Sequence, residues 1–84
     1  MSELANPDSV RAFVEQELID CGAEPDTISD DVSLDELDID SLAVVELVAS
    51  VKRRFAVDVP FEEVPRTSTV SDVCELIRSR AAAS

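Results

Sequence analysis

The stretch Leu37-Asp38-Ile39-Asp40-Ser41-Leu42 joins an acidic, loop-like run to an apolar, helix-forming run that ends near Phe55. Asp40 or Ser41 caps that helix, because short side-chain oxygens accept the N–H bonds of a first turn. The Ser41 hydroxyl therefore stands at a helix N-terminus, where unpaired amides and the helix dipole favour an anionic group on that oxygen. Capping alone also accounts for a serine here, so the surrounding chain must decide between the two readings.

The helix that follows is expected to run to Phe55 or Ala56 and carries two apolar lines. Val44, Leu47, Val48, Val51 and Phe55 have the i, i+3, i+4, i+7 spacing of a core face. Leu42, Val45, Ala49 and Ala56 form a second line beside Glu46 and Arg53. It exceeds what one core needs: either it covers neighbouring loop residues, the reading periodicity alone favours, or it offers a partner an apolar contact next to Ser41.

Upstream, Ala23 to Asp40 reads as a long loop whose Ile28, Val32, Leu34 and Leu37 pin it to the core. A loop of this length in a compact domain is usually functional or disordered, and the four aliphatics favour the first. Before it, Asn6 as N-cap and Pro7 at the first helical position open a helix whose Val10, Phe13, Val14, Leu18 and Cys21 share one face. Gly22, the sole glycine, closes that helix with a positive φ. Downstream, Val57-Asp58-Val59-Pro60 is extended, and Phe61 to Val64 make about one helical turn before Pro65 stops it. Thr69-Val70-Ser71-Asp72 is a capping box with Asp for Glu, opening a helix with Val70, Val73, Cys74 and Ile77 on its core face. Residues 81–84 are expected to fray. The result is an all-α bundle of three main helices plus one short helix, with a long loop between the first two, filling residues 1–84 as a single domain.

The 84 residues, 45% of them hydrophobic, allow one core and fall outside the composition of disordered chains. No apolar run is long enough to cross a bilayer, and the N-terminus lacks the pattern of a signal peptide, so a soluble, cytoplasmic protein is expected. Cys21 and Cys74 belong to no CxxC or CxxH pattern and read as two buried thiols rather than a zinc or redox site. With no histidine, Ser-His-Asp and Cys-His nucleophile activation are both excluded within the chain.

The formal charge is −12, and between Ala12 and Val51 there is no Lys or Arg. Twelve acids lie in that interval, equal to the whole net charge, while the remaining seven acids and seven bases cancel. The negative field thus converges on the segment ending at Ser41. Phosphate-mediated binding of nucleic acid is disfavoured by this sign, and proteins with basic patches are the expected partners. Calcium binding by a helix-loop-helix is disfavoured too: in a loop starting at Asp35, Leu37 and Ile39 fall on ligand positions and Asp40 takes the place of the turn glycine.

Taken in order, the long helix, acidic loop, Asp40-Ser41-Leu42, second helix with Val45-Glu46-Leu47 and Phe55, Val59-Pro60, short helix and Thr69-Val70 resemble a freestanding (type II) acyl carrier protein over nearly the whole chain. The resemblance implies that Ser41 carries a 4′-phosphopantetheine arm taken from coenzyme A by a separate, magnesium-using holo-synthase. It implies that Asp40 supports that transfer, and that the arm holds acyl or polyketide intermediates as thioesters. The protein is then a monomeric, non-enzymatic carrier, whose partners are the holo-synthase and acyl-processing enzymes with basic docking patches. Leu42, Val45, Glu46, Ala49 and Arg53 are the partner-binding candidates. An acyl pocket would be lined by Val45, Ala49, Phe61, Val64 and Thr67, with Thr67 making one wall polar.

Two departures stand out against that resemblance. Fatty-acid carriers have Gly where this chain has Asp38, and their second helix ends acidic where this one has Lys52-Arg53-Arg54. The second departure points to a polyketide or other specialised pathway. Two alternatives stay open from the residues: an aminoacyl or peptidyl carrier, which shares the arm, and an unmodified acidic interaction module in which Ser41 is only a cap.

Overall fold

The computed structural model describes residues 7–83 and is built on α1 (Pro7–Asp20), α2 (Ser41–Phe55) and α3 (Val70–Ala83). Short 3-10 turns at Pro25–Thr27 and Phe61–Glu63 interrupt the connections. The second of these is the expected short helix; the first interrupts the run Ala23 to Asp40 that the sequence marks as loop, and Pro25 opens it with its fixed φ. Asn6, the expected N-cap of α1, lies outside the described residues.

Each boundary has a local cause. α1 closes in a Schellman arrangement: the Ala23 N–H reaches back to the Leu18 carbonyl at 2.9 Å and that of Gly22 to the Ile19 carbonyl at 2.9 Å. The geometry requires φ of +111° at Gly22, a value that glycine adopts without strain. Ala56 ends α2 in the left-handed region at φ 58°, its N–H bonded to the Lys52 carbonyl at 2.9 Å. At α3 the Thr69 N–H donates to Asp72 and the Asp72 N–H to Thr69 Oγ1, both at 3.1 Å, as a capping box requires. α3 extends to Ala83, its last turn carried by alanine, the strongest helix former.

One aliphatic core holds the helices together. α1 packs chiefly on α3, with Val10, Val14, Leu18, Val70, Val73 and Ile77 all buried between them and α2. Phe13 meets Phe55 edge to face at 5.2 Å between ring centroids, tying α1 to the end of α2. Cys21 and Cys74 are free thiols and half-buried rather than buried. Burial pushes both pKa values up, so each thiol stays protonated and weakly nucleophilic at neutral pH.

The segment between α1 and α2 is pinned as its aliphatics predict, and by more than they predict. Ile28, Leu34 and Leu37 are buried, Val32 is half-buried, and Ile39 joins the core as well. Backbone pairing adds to this: Leu34 N–H bonds the Ser68 carbonyl, Val70 N–H the Val32 carbonyl, and Ser71 N–H the Asp30 carbonyl. An isolated antiparallel bridge joins Ser33 to Thr69. Arg11 also forms an ion pair with Asp30. The acidic loop is thus a fixed platform laid across the start of α3.

Candidate functional site

Residues 33–39 make a single capped turn that aims the chain at Ser41. Ser33 and Glu36 satisfy each other's N–H groups at 2.9 and 3.1 Å, a second capping box. The turn closes when the Ile39 N–H reaches the Leu34 carbonyl at 3.0 Å, with Asp38 between them at φ 61°. That left-handed position explains why glycine suits it; Asp, whose short polar side chain tolerates the region, keeps the turn and adds a charge. Leu37 and Ile39 face the core, while Asp38 and Asp40 face solvent.

Arg66 locks this turn from the far connection. Its Nε donates to the Ile39 carbonyl at 2.9 Å and its Nη2 to Asp35 Oδ1 at 2.8 Å, while the Asp35 N–H returns a bond to the Arg66 carbonyl at 2.9 Å. Ile39 directly precedes Asp40, so the clamp acts two residues from Ser41. Sequence reasoning missed Arg66, because the contact joins residues 27 and 31 positions apart and no local motif announces it.

The choice of cap is settled in favour of Asp40. Its backbone is extended, its Oδ1 accepts from the Ala43 N–H at 2.9 Å, and its carbonyl accepts the first helical bond from Val44 at 3.1 Å. Ser41 is accordingly the first helical residue and is exposed. Its hydroxyl is not used as the cap. The N–H groups of Ser41 and Leu42 precede the first intrahelical bond, so the positive end of the dipole lies beside the hydroxyl. A phosphodiester fits this setting, with amide donors near its oxygens and exposed carboxylates of Asp38 and Asp40 to face a divalent cation.

The second apolar line of α2 does not cover the loop. Leu42 is 67% exposed and Val45 45% exposed; Glu46, Ala49, Arg53 and Ala56 are also exposed, so the reading favoured by periodicity alone gives way to an open face. Phe61 stands 43% exposed on the following connection. Arg53 donates to Ser50 Oγ at 3.0 Å, and the Arg54 guanidinium lies 5.1 Å over the Phe55 ring.

An apolar cavity of about 10 Å³ is lined by Leu47, Val48, Val51, Val59, Val64, Val73, Leu76 and Ile77. Of the five residues named above for an acyl pocket, Val64 lines this cavity, and Val45, Ala49, Phe61 and Thr67 are exposed. The 3.6-residue period is the reason: Leu47, Val48 and Val51 turn toward α3, and Val45 and Ala49 turn away. Thr67 does not line this cavity. Val73 and Ile77, on the α3 core face, line the cavity from the other side.

Comparisons agree with this geometry. Residues 10–77 match the family described as the phosphopantetheine attachment site. The chain is 32% identical over 77 residues to the acyl carrier protein of Thermosynechococcus vestitus, covering 90% of this chain and 91% of that one. It is 39% identical over 57 residues to that of Zymomonas mobilis, covering 67% and 73%. The solution structure of the 3,7-dioxo-octyl actinorhodin acyl carrier protein from Streptomyces coelicolor superposes with a TM-score of 0.74 at 24% identity, over 99% of this chain and 98% of that one. With the family match spanning most of the sequence and the exposed serine opening α2, the chain belongs to the acyl carrier proteins, which tether acyl intermediates on a covalent 4′-phosphopantetheine arm.

Proposed function

We propose that Ser41 is the attachment point of the arm and that this protein is a non-catalytic, monomeric carrier of polyketide-type acyl intermediates in the cytoplasm. The observation that carries this reading is the division of labour at the start of α2, where Asp40 caps the helix and leaves the adjacent Ser41 hydroxyl exposed. The arm, once attached, supplies a terminal thiol for thioester chemistry. The chain's own residues hold and present it. First-turn amides would face the phosphodiester and Asp40 Oδ2 would offer an oxygen to a divalent cation during transfer, while Arg66 keeps the preceding turn fixed. Leu42, Val45, Glu46, Ala49 and Arg53 form the surface read by the holo-synthase and by acyl-processing enzymes, whose basic patches meet the acids around Ser41. The polyketide assignment draws support from the cations ending α2 and from the likeness to a carrier solved with a dioxo-octyl group. The test is incubation with coenzyme A, magnesium and a promiscuous holo-synthase: a mass gain of one phosphopantetheinyl group, mapped by fragmentation to Ser41, is expected. An unchanged mass would favour the unmodified interaction module.

The all-aliphatic cavity bears on cargo. At about 10 Å³ it holds no acyl chain until α2 and α3 part, and its lining offers no hydrogen-bond donor to a buried ketone. Burying an unpartnered carbonyl costs roughly 1–3 kcal/mol on the mutational scale, so keto-acyl chains should stay at the surface. Loading octanoyl is expected to shift NMR signals of Val48, Val51 and Leu76, and loading a 3-oxo chain to leave them near their unloaded positions. Equal shifts from both would count against an aliphatic filter.

A further inference from the structure

We infer that the enzyme acting at Ser41 reads α2 as a two-signed rail, with a basic patch for the Ser41 end and an acidic patch for Lys52 and Arg53; this rests on the reading of Ser41 above. Leu42, Glu46, Ala49 and Arg53 fall at i, i+4, i+7 and i+11, one line on the exposed face of α2, with Val45 and Lys52 beside it. Along that line the sign of charge reverses. Asp38, Asp40 and Glu46 mark the Ser41 end, no Lys or Arg occurs between Ala12 and Val51, and the cations begin abruptly at Lys52. Glu46 and Arg53 are separated by about 10 Å along the axis, and Ser41 and Arg53 by about 18 Å.

Those distances decide what a partner meets. A standard interface covers about 800 Å² per partner, a patch roughly 30 Å across, so an enzyme that engages Ser41 and lies along α2 also covers Lys52 and Arg53. Against a uniformly basic surface these two cations would be repelled, and such juxtapositions are costly at an interface. An acidic counter-patch removes the repulsion and fixes the direction in which the helix is read. Compensation of the helix dipole favours cations in this turn but treats all three alike. The structure does not treat them alike: Arg54 lies over the Phe55 ring, while Lys52 and Arg53 flank the apolar contacts Val45 and Ala49.

The test uses the full chain, coenzyme A and the holo-synthase of the same host, with initial loading rates read by intact mass. The Lys52→Glu/Arg53→Glu variant is expected to lose roughly tenfold in kcat/KM at about 50 mM salt, with the gap narrowing at about 300 mM. Arg54→Glu should stay within about twofold, well inside the steering effects of charges at an interface. The Glu46→Arg/Arg53→Glu swap leaves net charge unchanged and should lose as much as the double reversal, since the direction of the rail is inverted. Equal losses from all three cations, or a swap variant that loads at the wild-type rate, would overturn the proposal. Failure of the wild-type chain to load at all would instead remove the assignment of Ser41, and this inference with it.

Discussion

Leu34→Ala is expected to cost about 2–5 kcal/mol of folding stability, the effect of a large core truncation, although Leu34 lies in no helix. Its side chain is fully buried at 0% exposure, its N–H bonds the Ser68 carbonyl, and its carbonyl accepts from Leu37 and Ile39. A domain of this size has roughly 4–13 kcal/mol in total, so the variant sits near the edge of folding. Urea unfolding provides the measurement: the midpoint should fall with the slope m unchanged, as for a native-state loss. Val32→Ala, at a half-buried neighbour, should cost much less. If Leu34→Ala shifts the midpoint no further than Val32→Ala does, the acidic segment is not the packed platform described above.

Ser41→Ala separates function from fold. Loading should disappear entirely, because no other group occupies the first helical position of α2. Stability should stay within about 0.5 kcal/mol of wild type, since the substitution is exposed and removes no cap. Asp40 is the cap, and Asp40→Ala should cost about 0.5–2 kcal/mol by releasing the Ala43 N–H. Asp40→Asn keeps a capping oxygen and loses the charge. It should therefore hold most of that stability while loading more slowly, if the carboxylate serves the cation. Thermal melts and mass-detected loading of the three variants together distinguish a tether from a capping residue.

Much of this was legible in local signals. Gly22 announced the end of α1, the Thr69/Asp72 pair the start of α3, and the spacing of Val44, Leu47, Val51 and Phe55 the buried face of α2. These motifs depend on residues within a turn or two of one another, where spacing translates directly into geometry. What escaped was of two kinds. Asp40 and Ser41 are adjacent and both good cappers, so only backbone angles could divide the roles between them. The Arg66 clamp and the pairing of 30–34 with 68–71 join segments distant in sequence, and no period encodes them. The expected acyl-pocket residues rest on likeness to a family, whereas the helical period puts Val45 and Ala49 on the outer face of α2.

The central claim is that Ser41 bears the arm, and the intact mass of the chain purified from its native host tests it most directly. The account predicts a mass above that of the bare polypeptide by one phosphopantetheinyl group, with or without an acyl cargo, and fragment ions that place the whole increment on Ser41. An unmodified mass under conditions where the pathway is active, or an increment on any other serine, would contradict it.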